Sequence, residues 1–149
     1  MKRTVNQVRM QFPSCSVNER FARGAVSAFL LMLDPLVTEL NDLKTAVSEA
    51  VTNAVVHGYR DTLGTVYITV KILEDDTVVV RIRDKGCGIP DVEKAMEPLY
   101  TTGGEERAGL GFAVMQSFCD KVQVHSRPGH GTTVTLTKHF TKKPNENAR

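Results

Sequence analysis

Apolar residues recur at helical spacing over two early stretches of the chain. Their intervals of three and four residues predict a first helix over 17–33. Ser16 and Glu19 stand in the spacing of a capping box at its start. Asp34 followed by a proline is typical of a helix start, so a second helix is predicted from there to Gly58.

Alternating β-branched and polar residues predict five strands in the remainder of the chain. The first strand covers Val5 to Phe12. A hairpin pairs 65–73 with 77–83 across an acidic turn, and a second hairpin pairs 121–127 with 132–139. These segments supply enough strands for one sheet.

The interval between the two hairpins is predicted to contain a loop and two helices. Asp91 can cap a short helix that ends near Met96. Residues 97–108 have no clean hydrophobic period and are predicted to form a mobile loop. Gly109 and Gly111 are expected to open a further helix.

Helices and strands come in blocks rather than in strict alternation, which indicates the α+β class. We therefore expect a two-layer sandwich, with helices on one face of a mixed, mainly antiparallel sheet. The length of 149 residues fits one domain over 1–141. The polar tail at 142–149 is expected to be disordered.

Charge and hydropathy limit the expected partners and location. The formal net charge of +2 mixes both signs along the chain, unlike the concentrated basic surface that binds nucleic-acid backbones. The longest apolar run, around 25–33, is too short to span a bilayer. The three cysteines lack zinc-ligand or disulfide spacing. We expect a soluble, cytoplasmic protein with neither nucleic-acid nor membrane partners.

Three polar residues recur at every fourth position near the end of the second predicted helix. Glu49, Asn53 and His57 therefore share one line of that helix. Taken alone, the line is equally compatible with a solvated helix face, and His57 with a helix-end histidine that bonds to backbone. Other motifs must decide between these interpretations.

Two glycine-rich turns downstream could hold a nucleotide. One begins at Asp84 and reads Asp-Lys-Gly-Cys-Gly, and the other runs from Gly109 to Gly111 at a predicted helix start, where free N–H groups attract phosphate. Neither turn matches the Walker A or Rossmann pattern. Each is by itself also compatible with an ordinary turn or with glycines that pack a helix.

The order of these motifs resembles the GHKL superfamily of ATPases and kinases, which includes histidine kinases and gyrase. The stripe corresponds to its N box, the two glycine turns to its G boxes, and Gly131-Thr-Thr-Val to its last strand. Asn-Glu-Arg-Phe-Ala-Arg at 18–23, SEAVTNAVVHGY and Glu-Pro-Leu-Tyr-Thr-Thr at 97–102 are most similar to the anti-sigma F factor family of spore-forming bacteria. The resemblance covers nearly the whole chain and implies the Bergerat ATP-binding fold.

The resemblance also implies roles for individual residues. Asn53 would coordinate Mg²⁺ on the phosphates of ATP, and Glu49 would act as the catalytic base toward a hydroxyl. Asp84 would accept a hydrogen bond from the adenine amino group. The other nucleotide contacts would come from His57, Gly86, Gly88, Ile89, Thr102, Gly109, Leu110, Gly111 and Thr133.

A lid over the nucleotide is implied for residues 98–108, with Arg107 reaching the terminal phosphate as a charge clamp. This chain departs from the family there. Gly-Gly-Glu-Glu follows Thr102, and Ala108 stands where the family has a serine. The change removes one hydroxyl contact to phosphate and implies a looser lid.

The implied partners are proteins. The family binds sigma factor F, phosphorylates a serine of an anti-anti-sigma factor at the expense of ATP, which leaves ADP, and forms a homodimer through its first strand and helix. Glu19 and Arg23 would lie on the partner-binding surface. From the residues alone, Arg23 is also compatible with an ordinary exposed cation, and Glu19 with a salt bridge at i,i+4.

Two other functions fit the same motifs. A stress-response anti-sigma kinase of the sigma B type would differ only in its partner. An ATP-binding module without a sigma partner would use the nucleotide to stiffen its fold. A histidine kinase would need a helical segment with a phosphorylated histidine, for which we expect no room before Val5.

Overall fold

The computed structural model describes residues 2–97 and 105–141, with the backbone alone for 105–110. The strands are β1 (Thr4–Pro13), β2 (Thr65–Leu73), β3 (Thr77–Asp84), β4 (Lys121–Arg127) and β5 (Gly131–His139). The helices are α1 (Asn18–Leu30), α2 (Val37–Thr52), α3 (Val92–Ala95) and α4 (Glu105–Phe118). A 3₁₀ turn (Leu31–Leu33) follows α1, and a π-helical segment (Asn53–Gly58) continues α2.

The five strands form one sheet in the order β1-β2-β3-β5-β4. Every pair among the described strands is antiparallel, so the sheet is not mixed as the sequence pattern suggested. The predicted α+β sandwich and the two hairpins are confirmed. Because β5 inserts between β3 and β4, the start of β5 lies beside the end of β3.

One face of the sheet is buried under the helices. Alternate residues of β2 are 0–2% exposed, and they pack with buried residues of α1, α2 and α4. The side chains at the intervening positions point to the opposite face, which is open and polar. None of the described helices is long and apolar enough to cross a membrane.

Both early helices begin differently from the predicted pattern. The predicted capping box is wrong, because α1 is capped by Val17 without a side-chain hydrogen bond. The carboxylate of Glu19 instead accepts a hydrogen bond from Ser48 Oγ on α2. Helix α2 begins after Leu36 and not at Asp34, whose left-handed φ of 48° ends the 3₁₀ turn.

The end of the second predicted helix is wider than an α-helix. The Tyr59 N–H donates to the Ala54 carbonyl at 3.0 Å, which is the five-residue hydrogen bond of a π-helix. Such insertions are frequent at functional sites. Here the wide turn begins at Asn53, one of the three residues of the polar stripe.

Helix α4 begins at Glu105, four residues before the predicted start. Gly109 and Gly111 therefore lie inside the helix, and the prediction that they open it is wrong. Two glutamates in the first turn are favourable at the positive end of the helix dipole, which helps the helix to start earlier. Of the predicted mobile loop, residues 98–104 lie outside the described part of the chain.

Candidate active site

A cavity of about 260 Å³ lies between α2 with its π-helical end, the core-facing side of β3 and β5, and the loop after β3. Ile82, Val134 and Phe112 contribute apolar walls, and Asp84 and Thr132 contribute polar groups. Its other lining residues are Ala50, Asn53, Ala54, His57, Gly58, Arg60, Gly88, Ile89, Pro90, Asp91 and Lys94. An apolar slot with few polar groups is typical of a small-molecule site.

Asp84 is a buried acceptor at the end of β3. It is 5% exposed, and its Oδ1 accepts from the Gly86 N–H at 2.9 Å. Burial raises the pKa of Asp84 above 3.8, and hydrogen bonds from the backbone N–H groups of Gly86 and Thr132 oppose that rise. A carboxylate in this setting can select a ligand with a donor, such as an exocyclic amino group.

The loop after β3 docks directly on the π-helical segment. The Cys87 N–H donates to the Gly58 carbonyl at 2.8 Å. A Cβ atom at Gly86 would lie 2.0 Å from that carbonyl oxygen, and one at Gly58 would lie 2.8 Å from Cγ of Asp84. A side chain at Gly86 would clash with the backbone of Gly58, and one at Gly58 would clash with the carboxyl group of Asp84, so glycine is required at both positions.

The same loop is held from its other side by the turn between β4 and β5. Gly88 has a φ of +77°, and a Cβ there would lie 2.3 Å from the Arg127 carbonyl oxygen. Ser126 Oγ accepts from the Ile89 N–H at 2.7 Å, donates to the Gly131 carbonyl oxygen at 3.1 Å and contacts Thr132 Oγ1 at 2.8 Å. Ser126 thus joins the loop, the turn and the cavity wall.

Tyr59, which directly follows the π-helical segment, also restrains the loop after β3. Its buried hydroxyl donates to the Thr65 carbonyl at 2.6 Å and accepts from the Lys85 N–H at 2.7 Å. The residue therefore fixes the start of the Asp84 loop against the start of β2. Neither residue was predicted from the sequence, because Ser126 belongs to no motif and Tyr59, at the end of SEAVTNAVVHGY, shows its role only through its tertiary contacts.

The structure brings the polar stripe to the cavity and to α4. Asn53 and His57 line the cavity. A Cβ atom built on Gly111 would lie 3.1 Å from Glu49 Oε2 and 3.3 Å from Oδ1 and Nδ2 of Asn53. Gly111 thus lets α4 approach both side chains.

The side chain of Asn53 fits a ligand at this position. Its Nδ2 is buried and makes no hydrogen bond within the part of the chain whose side chains are described. Buried polar groups are normally paired, so the amide is poised for a group that enters the cavity. The described side chains, those of 2–97 and 111–141, include no group of three or more His, Cys, Asp or Glu that could hold a metal. Mg²⁺ needs only one or two protein ligands when phosphates and water supply the others.

Thr133 does not support the cavity as expected. Its side chain lies on the open face of the sheet, and Thr132 lines the cavity beside Asp84. The alternation of apolar and polar residues along β5 already indicated that Thr132, and not Thr133, faces the cavity. Because Val134 and Leu136 are buried, Thr132 must share their face and Thr133 must oppose it.

Several predicted contacts stay predictions. Thr102 lies outside the described residues, and only the backbone is described at Arg107, Gly109 and Leu110. The assignment of phosphate-binding N–H groups to a helix start at Gly109 is not supported, because that helix begins at Glu105.

The proposed partner-binding residues lie on α1, away from the cavity. Glu19 Oε1 lies 3.8 Å from Arg23 Nε, so the i,i+4 salt bridge is present. The hydrogen bond from Ser48 joins this pair to α2, one residue before Glu49.

The fold and the site define a known class of nucleotide-binding domain. The family model described as the histidine kinase-like ATPase domain matches residues 16–138. Domains of this class bind ATP or ADP.

Comparison with individual proteins shows to which family within this class of domains the chain belongs. The chain is 52% identical to the anti-sigma F factor of Bacillus licheniformis over 139 residues, which cover 92% of this chain and 94% of that protein. It is 50% identical to the anti-sigma F factor of Bacillus subtilis (strain 168) with the same coverage. The chain therefore belongs to the anti-sigma F factor family of the histidine kinase-like ATPase domains.

Solved structures support the fold. The RsbU and RsbW domains of Rv1364c from Mycobacterium tuberculosis match with a TM-score of 0.70 and 19% identity, over 95% of this chain and 34% of that one. The histidine kinase domain of a blue-light activated histidine kinase from Erythrobacter litoralis EL346 matches with a TM-score of 0.53 and 24% identity, over 68% of this chain and 45% of that one.

The raised pKa of Asp84 predicts a pH-dependent penalty on stability. Between pH 3.8 and the higher pKa in the folded protein, the folded state binds more protons than the unfolded chain, so the unfolding free energy falls as pH rises. Asp84→Asn lacks this titration. The unfolding free energy of Asp84→Asn minus that of the wild type should therefore increase as the pH rises from 3.8 to the folded-state pKa, and should level off above it. Urea denaturation of the nucleotide-free proteins across this pH range measures the difference, and a flat or decreasing difference would contradict the assignment.

Adjacent threonines on opposite faces of β5 provide a second test. Thr132→Val removes a hydroxyl from the cavity wall and its contact with Ser126, at a cost of about 1 kcal/mol or about fivefold in ATP affinity. Thr133→Val should leave affinity unchanged. Titration with a fluorescent ATP analogue measures both variants, and thermal unfolding controls for stability. A larger loss with Thr133→Val would show that the site uses the other face.

Proposed function

We propose that this protein is a cytoplasmic anti-sigma factor that inhibits sigma factor F and uses Mg-ATP to phosphorylate a serine of an anti-anti-sigma factor. One observation carries the catalytic part. Glu49 and Asn53 lie one helical turn apart, both against Gly111 of α4, and Asn53 also faces a cavity with a buried carboxylate. The names of its relatives favour sigma F over the sigma B type of partner.

The base end of the nucleotide would be held by Asp84. Its carboxylate is fixed by the Gly86 N–H and lies among apolar groups that include Ile89 and Val134. An adenine ring would pack between those groups and donate from its amino group to the carboxylate. Guanine presents a carbonyl in place of that amino group, so the same site would disfavour it.

The phosphate end would lie toward α4. The side-chain oxygen of Asn53 is a neutral, hard ligand of the kind that Mg²⁺ accepts. When bound, ATP supplies the phosphoryl group and Mg²⁺ neutralises charge on its phosphates. Gly111 leaves room beside Asn53, and Arg107 in the preceding turn of α4 would add a positive charge at the terminal phosphate.

Glu49 would act on the protein substrate. Its carboxylate would accept the proton of the serine hydroxyl as the serine oxygen bonds to the terminal phosphorus and the bond to ADP breaks. The hydrogen bond from Ser48 Oγ to Glu19 joins α1 to the residue of α2 that precedes Glu49, which supports a partner surface on α1 near this residue. A substrate held by Arg23 and Glu19 could therefore present its serine beside Glu49.

Phosphorylation would change how the anti-anti-sigma factor binds its partner, because of the charge on the phosphorylated serine. A phosphoserine carries nearly two negative charges, which disfavours an interface through repulsion and desolvation.

We also propose a homodimer through β1 and α1. Strand β1 is an edge strand that pairs only with β2 among the described strands, and Val5 and Phe21 nearby are 53% and 58% exposed.

The catalytic assignment predicts a selective loss in Glu49→Gln. Removing a general base lowers the rate by about 10²- to 10⁴-fold, while ATP affinity should be preserved because Asp84 and Asn53 are intact. Labelled ATP, Mg²⁺ and an anti-anti-sigma protein provide the assay, with phosphoserine as the product. Glu39→Gln, at the other end of α2, is the matched control and should retain activity.

Three results would contradict this function. Full phosphoserine formation by Glu49→Gln would contradict the assignment of Glu49 as the catalytic base, and absence of phosphoserine with the wild type would contradict the serine kinase activity. Label on a histidine of this chain would indicate a histidine kinase instead.

A further inference from the structure

The open face of the sheet collects cations that are far apart in the sequence. Strand pairing aligns fifteen outward positions in three rows that cross all five strands. Five of these positions are Arg9, Lys71, Arg81, Arg83 and Lys121. None of the fifteen is aspartate or glutamate, although the chain has 17 acidic residues. The expectation that this protein has no concentrated basic surface is therefore wrong.

These cations are available to a partner. None of the five forms a salt bridge with any residue that the structure describes. Arg9, Arg81 and Arg83 are exposed, and with Lys71 they line one broad concavity of about 970 Å³. Arg9 and Arg81 are two strands apart, a separation of about 10 Å between backbones.

The chemistry of the face favours carboxylates on a protein over nucleic acid. Single-stranded nucleic acids stack their bases on exposed aromatic rings. Tyr67 is the only aromatic ring of the phenylalanine, tyrosine or tryptophan type in the three rows, and Lys85 Nζ lies 5.1 Å from its centroid. Thr69 separates Arg9 from Arg81 within the central row, so each of these guanidinium groups can bind a carboxylate of its own through two N–H donors.

We propose that this open face is a docking surface for an acidic segment of a partner protein, whose carboxylates bind Arg9, Arg81 and Arg83. Arg9, Arg81 and Arg83 point away from the ATP cavity, which lies on the helical side of the same sheet. The concavity that they line meets that cavity only at Asp84 and Thr132, and Asp84 is 5% exposed. A partner could therefore occupy it while nucleotide is bound. The proposal does not depend on the kinase function.

Two double variants of equal net charge test the proposal. Arg81→Glu with Arg83→Glu reverses two cations of the open face, and Arg20→Glu with Lys44→Glu reverses two cations of the helices. Each reversal changes the charge by two units, so both variants go from +2 to −2. The probe is a fluorescein-labelled oligoglutamate peptide at physiological salt, measured by anisotropy with the full chain.

The open-face variant should lose at least about tenfold in peptide affinity, since like charges repel at an interface, and the helical variant should lose much less. Arg9→Glu with Lys71→Glu is a second open-face variant and should behave like the first. Circular dichroism and ATP binding check that each variant is folded.

Several results would overturn the proposal. Equal losses in the open-face and helical variants would mean that only net charge attracts the peptide. If the wild type does not bind the peptide saturably, the proposal is also wrong. Tighter binding of oligothymidylate, or of vesicles of phosphatidylserine and phosphatidylcholine, would assign the face to nucleic acid or to a membrane surface.

Discussion

The close approach of two backbones, at Gly58 and Gly86, is the constraint on which the site depends. The Gly58 carbonyl ends the π-helical segment and accepts the Cys87 N–H, which fixes the loop after β3. That loop in turn holds the carboxylate of Asp84 through the Gly86 N–H. One contact therefore joins the helix that carries Glu49 and Asn53 to the strand that carries the buried acceptor. Tyr59 and Ser126 restrain the same loop from its two ends.

Much of this arrangement was predictable because the spacing of apolar residues along a helix or strand reflects which of its side chains are buried. The alternating pattern predicted each strand to within one residue at either end, and the apolar face predicted α2, although α2 begins later than expected, after Leu36. Features that depend on tertiary contacts were not predictable. The wide turn at Asn53 has no sequence signature. Helix α1 has Val17 and not Ser16 at its N-cap, and the Glu19 carboxylate bonds to Ser48 of α2. The family motif favours Thr133, whereas the alternation of buried residues along β5 places Thr132 at the cavity.

The two faces of the sheet have separate chemistry. The helical side carries the cavity that we propose for the nucleotide, in which burial raises the pKa of the Asp84 carboxyl group. The open side carries cations whose positions in the sequence range from 9 to 121, so their concentration becomes visible only once the strand order is known. Alternation along each strand keeps the two sets apart, although Arg83 and Asp84 are neighbours in the chain.

The most direct test of the account is the NMR signal of the Asn53 side-chain amide, assigned by its loss in Asn53→Ser. The amide is buried beside Gly111 and makes no hydrogen bond within the described residues, so its environment must change when phosphates and metal enter. We expect both amide proton signals to shift on saturation with Mg-ATP, and to shift less with ATP and a chelator. Unchanged Asn53 signals, with shifts in the loop after Asp84, would contradict the placement of the phosphates.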